Sequence, residues 1–439
     1  MEGYSIIIIL LALAVALSPV ARKFSFPYPV LLLIAGIGVG FIPHFEAINI
    51  NPEVIFLIFL PPFLYDAAYH ISFKEFKRNL PVISLLAFNL VFITTSVIAA
   101  SVHYILGLDW ALSFVLGAIL SPPDAIAAAG VTKNLGLPHR TNTILEGESL
   151  INDASALVAL RFAVAAVAGS RFVFWQAGLM FLAALVGGAV LGWILARIFI
   201  LSAKKLADRN VIVSLNLLLP FAIYLLAEEI SVSGVIAVVV FGLVVSQRKS
   251  QLHEKSVMQS KSVSETIVFI LSGLIFIMIG LEFPQVLKNI PNTQFLSLIG
   301  VAFLIFLVAL LVRMMIIFRY KIHTKKRFMR INDKVANMSE KQIQHFNSRF
   351  GKKDSFKERL EDSKSLLLNS KEVFIIGWSG MRGIVSLAAA LSLPLVMADG
   401  SSFLHRNMLI FLTVTVVIIM LFIQGLGLPF IIRYLKFKE

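Results

Sequence analysis

Apolar runs of about twenty residues recur from one end of this chain to the other, and a run of that length crosses the ~30 Å hydrocarbon core of a bilayer as a helix. Thirteen such segments can be placed, at about 4–20, 26–42, 52–70, 80–106, 109–133, 141–168, 173–200, 209–228, 231–247, 264–286, 294–318, 372–398 and 405–432. They are too many and too evenly spread to be the buried core of a soluble domain. Charged residues make up 15% of the chain, against about 25% in soluble domains. The alternating ten-residue segments of a membrane β-barrel are absent from the sequence. The expected fold is therefore an all-α, multi-pass membrane protein. No Lys or Arg precedes the first apolar run, so segment 1 reads as a span rather than a cleaved signal peptide.

The net charge of +14 invites a nucleic-acid reading, which the distribution of charge excludes. Of the 39 Lys and Arg, 33 fall in one set of alternate loops and the tails, only Arg171, Lys288 and Arg406 fall in the other set, and Arg161, Arg313 and Arg382 lie within spans. That asymmetry is the positive-inside rule. It places the C-terminus in the cytoplasm and, with thirteen crossings, the N-terminus outside. Residues 319–371 form one polar, basic insertion, read as a helical cytoplasmic loop that attracts anionic headgroups. It has an amphipathic stretch near Val335–Phe350 and a mixed-charge run at Lys352–Lys364.

Two spans are broken by their own sequence. Segment 5 contains Ser121-Pro122-Pro123-Asp124, where the prolines remove backbone donors. Segment 12 contains Gly377-Trp378-Ser379-Gly380-Met381-Arg382-Gly383, where glycine weakens the helix. With segment 7 as a connector, the breaks fall at position five of two six-helix halves of opposite orientation. Interrupted helices at matching positions of inverted repeats point to a midplane binding site in a secondary transporter.

Charge inside the membrane agrees. A carboxylate in hydrocarbon costs at least ~2.5 kcal/mol and is functional by default. At the helical rise, Asp153 lies ~18 Å from the inner face, Asp124 ~14 Å and Arg382 ~15 Å, so all three converge near the middle of the slab. Ser149 precedes Asp153 by one turn on the same helical face and adds a hydroxyl. Asn152 offers amide groups without charge. Burial makes ionisation of Asp153 costly, so this acid is expected to trade a proton for a cation. Glu148 and Arg313 lie at matching depths of ~10 and ~9 Å, which suits a structural ion pair. Arg382 either neutralises the broken region or pairs with an acid. Arg161 is expected to snorkel to the outer interface. Asp66 reads as a solvated helix-end acid, Glu228, Glu229 and Glu282 as outer surface acids, and Glu265 as an acid at a helix N-terminus.

Glu146-Gly147-Glu148-Ser149-Leu150-Ile151-Asn152-Asp153-Ala154 resembles the Asn-Asp signature of cation:proton antiporter family 1. Ser121-Pro122-Pro123-Asp124-Ala125, Ser264-Glu265-Thr266-Ile267-Val268-Phe269 and Gly380-Met381-Arg382-Gly383-Ile384-Val385-Ser386-Leu387-Ala388 look like the same family, in order along the chain. The resemblance implies thirteen helices, an inverted repeat, a homodimer in the cell membrane (an inner membrane of bacterial type) and elevator-like movement of a core domain against a dimer domain. It implies that residues 1–318 and 372–439 form the antiporter domain, with core helices at about 80–168, 294–318 and 372–432 and dimer-type helices at about 4–70 and 209–286. It makes Asp153 the carboxylate that binds the ion and the proton, with Asp124 and Ser149 beside the transported sodium and Asn152 adjacent. It makes Glu148, Arg313 and Arg382 structural charges, and Asn152, where electrogenic relatives carry a second Asp, implies one-for-one exchange. The chain departs from the family pattern at the first break, reading Pro123-Asp124-Ala125 where many members read Thr-Asp-Pro, so a hydroxyl is missing.

The expected partners are a monovalent cation, the proton and membrane lipids, with no nucleic acid. No cofactor is expected and no enzymatic activity. Cysteine is absent, no phosphate-binding Gly-x-x-x-x-Gly-Lys-Ser/Thr loop occurs, and no Gly-x-Gly-Asp motif of a paired-aspartate protease is present. The alternatives on the same scaffold are potassium/proton exchange, a cation channel or an ion-gated sensor.

Overall fold

The computed structural model describes residues 3–23, 28–42, 52–124, 137–169, 174–206, 208–251, 254–288, 290–336, 364, 366–397, 400 and 402–435. Every expected apolar segment contains helix: α1 (Gly3–Lys23), α2 (Tyr28–Gly40), α3 (Pro52–His70), α4 (Phe73–Ser84) running through a π-turn at Leu85–Leu90 into α5 (Val91–Leu106), α6 (Trp110–Leu120), α7 (His139–Val167), α8 (Phe174–Ala203), α9 (Arg209–Glu229), α10 (Gly234–Gln247), α11 (Glu254–Lys288), α12 (Asn292–Ala336), the split pair α13 (Ser370–Trp378) and α14 (Ile384–Leu391), and α15 (Arg406–Met420) continuing through a second π-turn into α16 (Leu426–Leu435). Among the described residues the extended structure is one isolated bridge, between Val396 and Ser402. Among the described residues, seven helical stretches are long and apolar enough to span a membrane by length and composition, and five shorter apolar helices accompany them.

Helix bounds exceed the apolar runs where a basic, amphipathic turn continues the hydrogen-bond ladder outside the hydrocarbon. The fourth segment starts at Phe73 rather than 80, and the tenth at Glu254 rather than 264. Glu265 therefore sits inside a helix, 3.9 Å from Lys261 one turn earlier, and not at a helix start. The 45-residue helix α12 runs from the eleventh segment to Ala336, well into the basic insertion. Most of the Val335–Phe350 and Lys352–Lys364 stretches lies outside the described residues, as does the segment-5 stretch after Asp124.

Water-driven burial does not hold one helix on another inside lipid, so close packing must do so. Helices α2 and α11 show how. A Cβ on Gly280 would collide with the carbonyl oxygen of Leu33, and one on Gly36 with that of Ile277. Only glycine at both positions lets the backbones approach this closely. Conversely, Leu182, Val186 and Val190 on α8 are more than half exposed, as lipid-facing side chains should be.

The helices pack mainly within two groups. One contains α1–α3 and α8–α11; the other contains α4–α7 and α12–α16. Contacts between the groups are sparser. Part of the seam is apolar, with Phe76, Ile83, Leu150 and Ala154 of the second group in one cluster with Leu60, Leu64 and Tyr65 of the first.

Candidate functional site

The two sequence breaks meet inside the second group and complete one another. Pro122 and Pro123 end α6 because they bring no N–H to its ladder. The first donor after them, the Asp124 N–H, bonds to the Met381 carbonyl at 2.6 Å, in the other break. The Asp124 carboxylate then accepts the Ile384 N–H at 2.9 Å. It thus caps the first turn of α14, where unsatisfied donors and the helix dipole both favour an anion. Gly383 makes this approach feasible, since a Cβ there would lie on Asp124 Oδ2.

Arg382 returns the favour at the opposite pole. Its Nε donates to the Leu120 carbonyl at 2.6 Å, the last residue of α6, and its Nη1 to the Gly380 carbonyl at 3.1 Å. A cation at a helix C-terminus satisfies orphan carbonyls and complements the dipole. Both of these Arg382 bonds go to backbone carbonyls at the two breaks. Each break therefore carries the charge that the other break's helix end requires.

Helix α7 crosses behind this junction. Asn152, fully buried, donates from Nδ2 to the Pro123 carbonyl at 3.1 Å. A carbonyl only accepts, so the amide must turn its NH2 toward it, and Asn152 Oδ1 faces away with no hydrogen-bond partner among the described residues. Asp153 is 5% exposed. Its Oδ1 likewise has no hydrogen-bond partner among them. Ser149 stands one turn earlier on α7, half-buried. Glu148, on the same helix, is bidentate with Arg313 of α12: Nη1 meets Oε1, and Nη2 meets Oε2 at 2.7 Å. The Arg313 Nε binds the Ile376 carbonyl at 2.9 Å. The ion pair inferred from equal depths is thus present, and it ties α7, α12 and α13 together.

Three polar residues to which the sequence reading gave no role lie in or next to the second break. Ser379, in the second break, and Ser386, in the first turn of α14, are buried, and their hydroxyls have no partner among the described residues. Gln424, in the π-turn before α16, donates to the Trp378 carbonyl at 2.9 Å and so closes the C-terminus of α13; Trp378 Nε1 reaches back to the Gln424 carbonyl at 3.3 Å. A lone amide in an apolar run was the available signal for Gln424. Ser379 lies in the glycine-rich break and Ser386 in the family-like motif, but nothing local singled out either hydroxyl.

Three acids behave differently from expectation. Asp66 is not simply solvated: it accepts the Ser264 hydroxyl at 2.6 Å and lies 3.3 Å from His70 Nδ1. Glu228 pairs with Arg161 at 2.7 Å, and Glu282 lies 3.9 Å from Arg406. His70 is one turn from Asp66 on the same helix, whereas helix packing brings Ser264, Arg161 and Arg406 to their acids across more than sixty residues of sequence.

Chemically, the junction offers oxygen from a carboxylate, an amide and hydroxyls, in a buried place where several acceptors have no partner among the described residues. Hard monovalent or divalent cations choose oxygen ligands.

Comparison with known proteins agrees with this geometry. A family profile described as sodium/hydrogen exchanger, transmembrane, matches residues 7–434. An uncharacterised Na⁺/H⁺ exchanger of Mycobacterium bovis is 31% identical, over 100% of this chain and 75% of its own length. A sodium, potassium, lithium and rubidium/H⁺ antiporter of Bacillus pumilus is 31% identical, over 98% of this chain and 61% of its own. A Na⁺/H⁺ antiporter of Halobacillus aidingensis is 30% identical, over 98% of this chain and 97% of its own. The solved structure of a sodium proton antiporter from Methanocaldococcus jannaschii shares the fold with a TM-score of 0.73 at 17% identity, covering 99% of this chain and 98% of that one.

Proposed function

The chain belongs to the sodium/hydrogen exchanger family, and from that premise we propose that it exchanges a monovalent cation, sodium foremost, for one proton through Asp153. The observation that carries this reading is the unpartnered oxygen of a buried carboxylate beside two reciprocally capped helix breaks. Asp153 is the acid left for transport. Glu148 is engaged by Arg313, the Asp124 carboxylate caps α14, and Asn152 brings no charge. A single carboxylate that holds either a cation or a proton makes the exchange electroneutral. Ser149 and Asp124 complete the sodium ligands in this reading, and no resident cofactor takes part.

The separation of helices into two packing groups supports an elevator motion, in which α4–α7 and α12–α16 carry the site past a scaffold of α1–α3 and α9–α11. We place the protein as a homodimer in a cell membrane, N-terminus outside and C-terminus cytoplasmic, with anionic lipid against the basic inner face and a role in pH homeostasis. Potassium is the second candidate cargo. Pro123 supplies no side-chain oxygen at the first break, and the Bacillus pumilus relative is named for four alkali cations.

The test is proton flux in proteoliposomes with an internal pH dye, adding Na⁺, K⁺ or Li⁺ in turn, for wild type and Asp153→Asn. Cation-driven flux that vanishes in the variant establishes exchange through Asp153, and the responding cation sets selectivity. A folded wild type that responds to no cation refutes the proposal.

A further inference from the structure

Two ion pairs join the two helix groups, and they share a pattern. Arg161 of α7 donates to Glu228 of α9 at 2.7 Å, and Arg406 at the start of α15 lies 3.9 Å from Glu282 of α11. In each pair the arginine belongs to the group that carries Asp153 and the glutamate to the other group. Both lie on the same side of the membrane, the face poor in Lys and Arg. This side holds the ends of α7, α9 and α11 and the start of α15.

One partner of each pair is also anchored within its own group. Arg406 donates from Nε to the Leu393 carbonyl at 3.0 Å and from Nη2 to the Leu391 carbonyl at 3.1 Å, closing the C-terminus of α14, the second half of the broken segment. Glu228 accepts the Gly234 N–H at 3.4 Å, at the start of α10. Each ion pair is therefore fixed at one end, and a relative displacement of the groups by several helical rises would part it. Both are partly exposed, with side-chain exposures of 62% and 30% for Arg161 and Glu228 and 15% and 27% for Arg406 and Glu282. Pairs so placed are weak enough to break and reform in each cycle.

The geometry points to an outer latch: Arg161–Glu228 and Arg406–Glu282 hold the outer ends of the two groups together and so set how often the site opens toward the basic-poor face. This inference rests on the two-group motion proposed above.

The chain has no native cysteine, so a single introduced thiol reports cleanly. Leu157 lies one turn beyond Asp153 toward that face and packs against hydrophobic clusters of both groups. The experiment measures maleimide labelling of Leu157→Cys in detergent, alone and combined with Glu228→Gln, Glu282→Gln or both. Tyr104→Cys, at an exposed helix end, serves as the reactivity control. Each neutralisation is expected to raise the labelling rate about two- to fivefold, the range in which an exposed ion pair acts. The exchange Arg161→Glu with Glu228→Arg is expected to return it toward the starting rate. An unchanged rate in the double variant overturns the latch. Cation-driven proton flux in the same Leu157→Cys proteins separates the two ideas. Flux with unresponsive labelling removes the latch and leaves the exchanger, whereas responsive labelling without flux for any cation removes the exchanger reading.

Discussion

Glu148 and Asp153 stand five residues apart on one helix, about 7.5 Å along its axis, and both are shielded from solvent. Both are acids in one apolar span, and in the sequence only their depths tell them apart. Their surroundings differ completely. Glu148 meets a bidentate guanidinium, and Asp153 keeps an oxygen that nothing among the described residues satisfies. A buried charge with its full set of partners is architecture. A buried acid short of partners is unstable as an anion unless a proton or a cation joins it, and that dependence is what a carrier needs.

The largest test of this contrast is Asp153→Asn. Cation-driven flux is expected to fall to the level of protein-free liposomes, while denaturant unfolding shows equal or higher stability, because a desolvated acid has been replaced by a neutral group. A large stability loss would place Asp153 with Glu148 as architecture. Glu148→Gln should do the reverse of this to stability: leaving Arg313 buried without its acid costs ~3–5 kcal/mol, read as lost unfolding free energy. Replacing both partners with leucine should recover part of it.

Smaller effects sharpen the contrast around the junction. Asn152→Asp sets a carboxylate against the Pro123 carbonyl, two acceptors with no donor between them. The expected loss is ~1–3 kcal/mol, with Asn152→Gln or →Ser milder on the same unfolding assay. Asp124→Ala removes the cap of α14 and should cost ~0.5–2 kcal/mol. Hydrogen exchange of the Ile384–Leu391 amides would show the fraying directly.

The smallest effect lies outside the spans. Lys249, between α10 and α11, gives its ammonium to the Tyr69 carbonyl and lies over that ring at 3.9 Å. Burial, then the nearby Lys261 charge, pushes its pKa down to about 8 from 10.5, with Asp66 opposing. Between those values the unfolded chain binds the extra proton, so stability should rise with pH from about 8 to 10.5 and not depend on this group below 8. Lys249→Met should flatten that rise in a pH series of unfolding midpoints.

The apolar runs, the charge asymmetry and the two breaks were legible because each is a local property. A span announces its own length, proline withdraws its own donor, and loop charges sort by side without reference to packing. Asp153, Asn152 and Asp124 were legible for the same reason, since polar groups at mid-depth stand out against hydrocarbon. The Glu148–Arg313 pair was reachable only as a match of depths. The fold supplied the facing of α7 and α12 that turns equal depth into contact.

What the sequence by itself determined is therefore the class of molecule, the course of its spans and the residues that carry charge into the membrane. What only the tertiary structure decided is which charge answers which. Asp124 caps a helix 260 residues later, Arg382 closes one 262 residues earlier, and Glu228 and Glu282 pair with arginines of the other helix group. These are long-range pairings between helix ends. Their energy depends on a few ångströms of placement, and no local pattern encodes placement when the helices that meet are made of nearly interchangeable apolar residues.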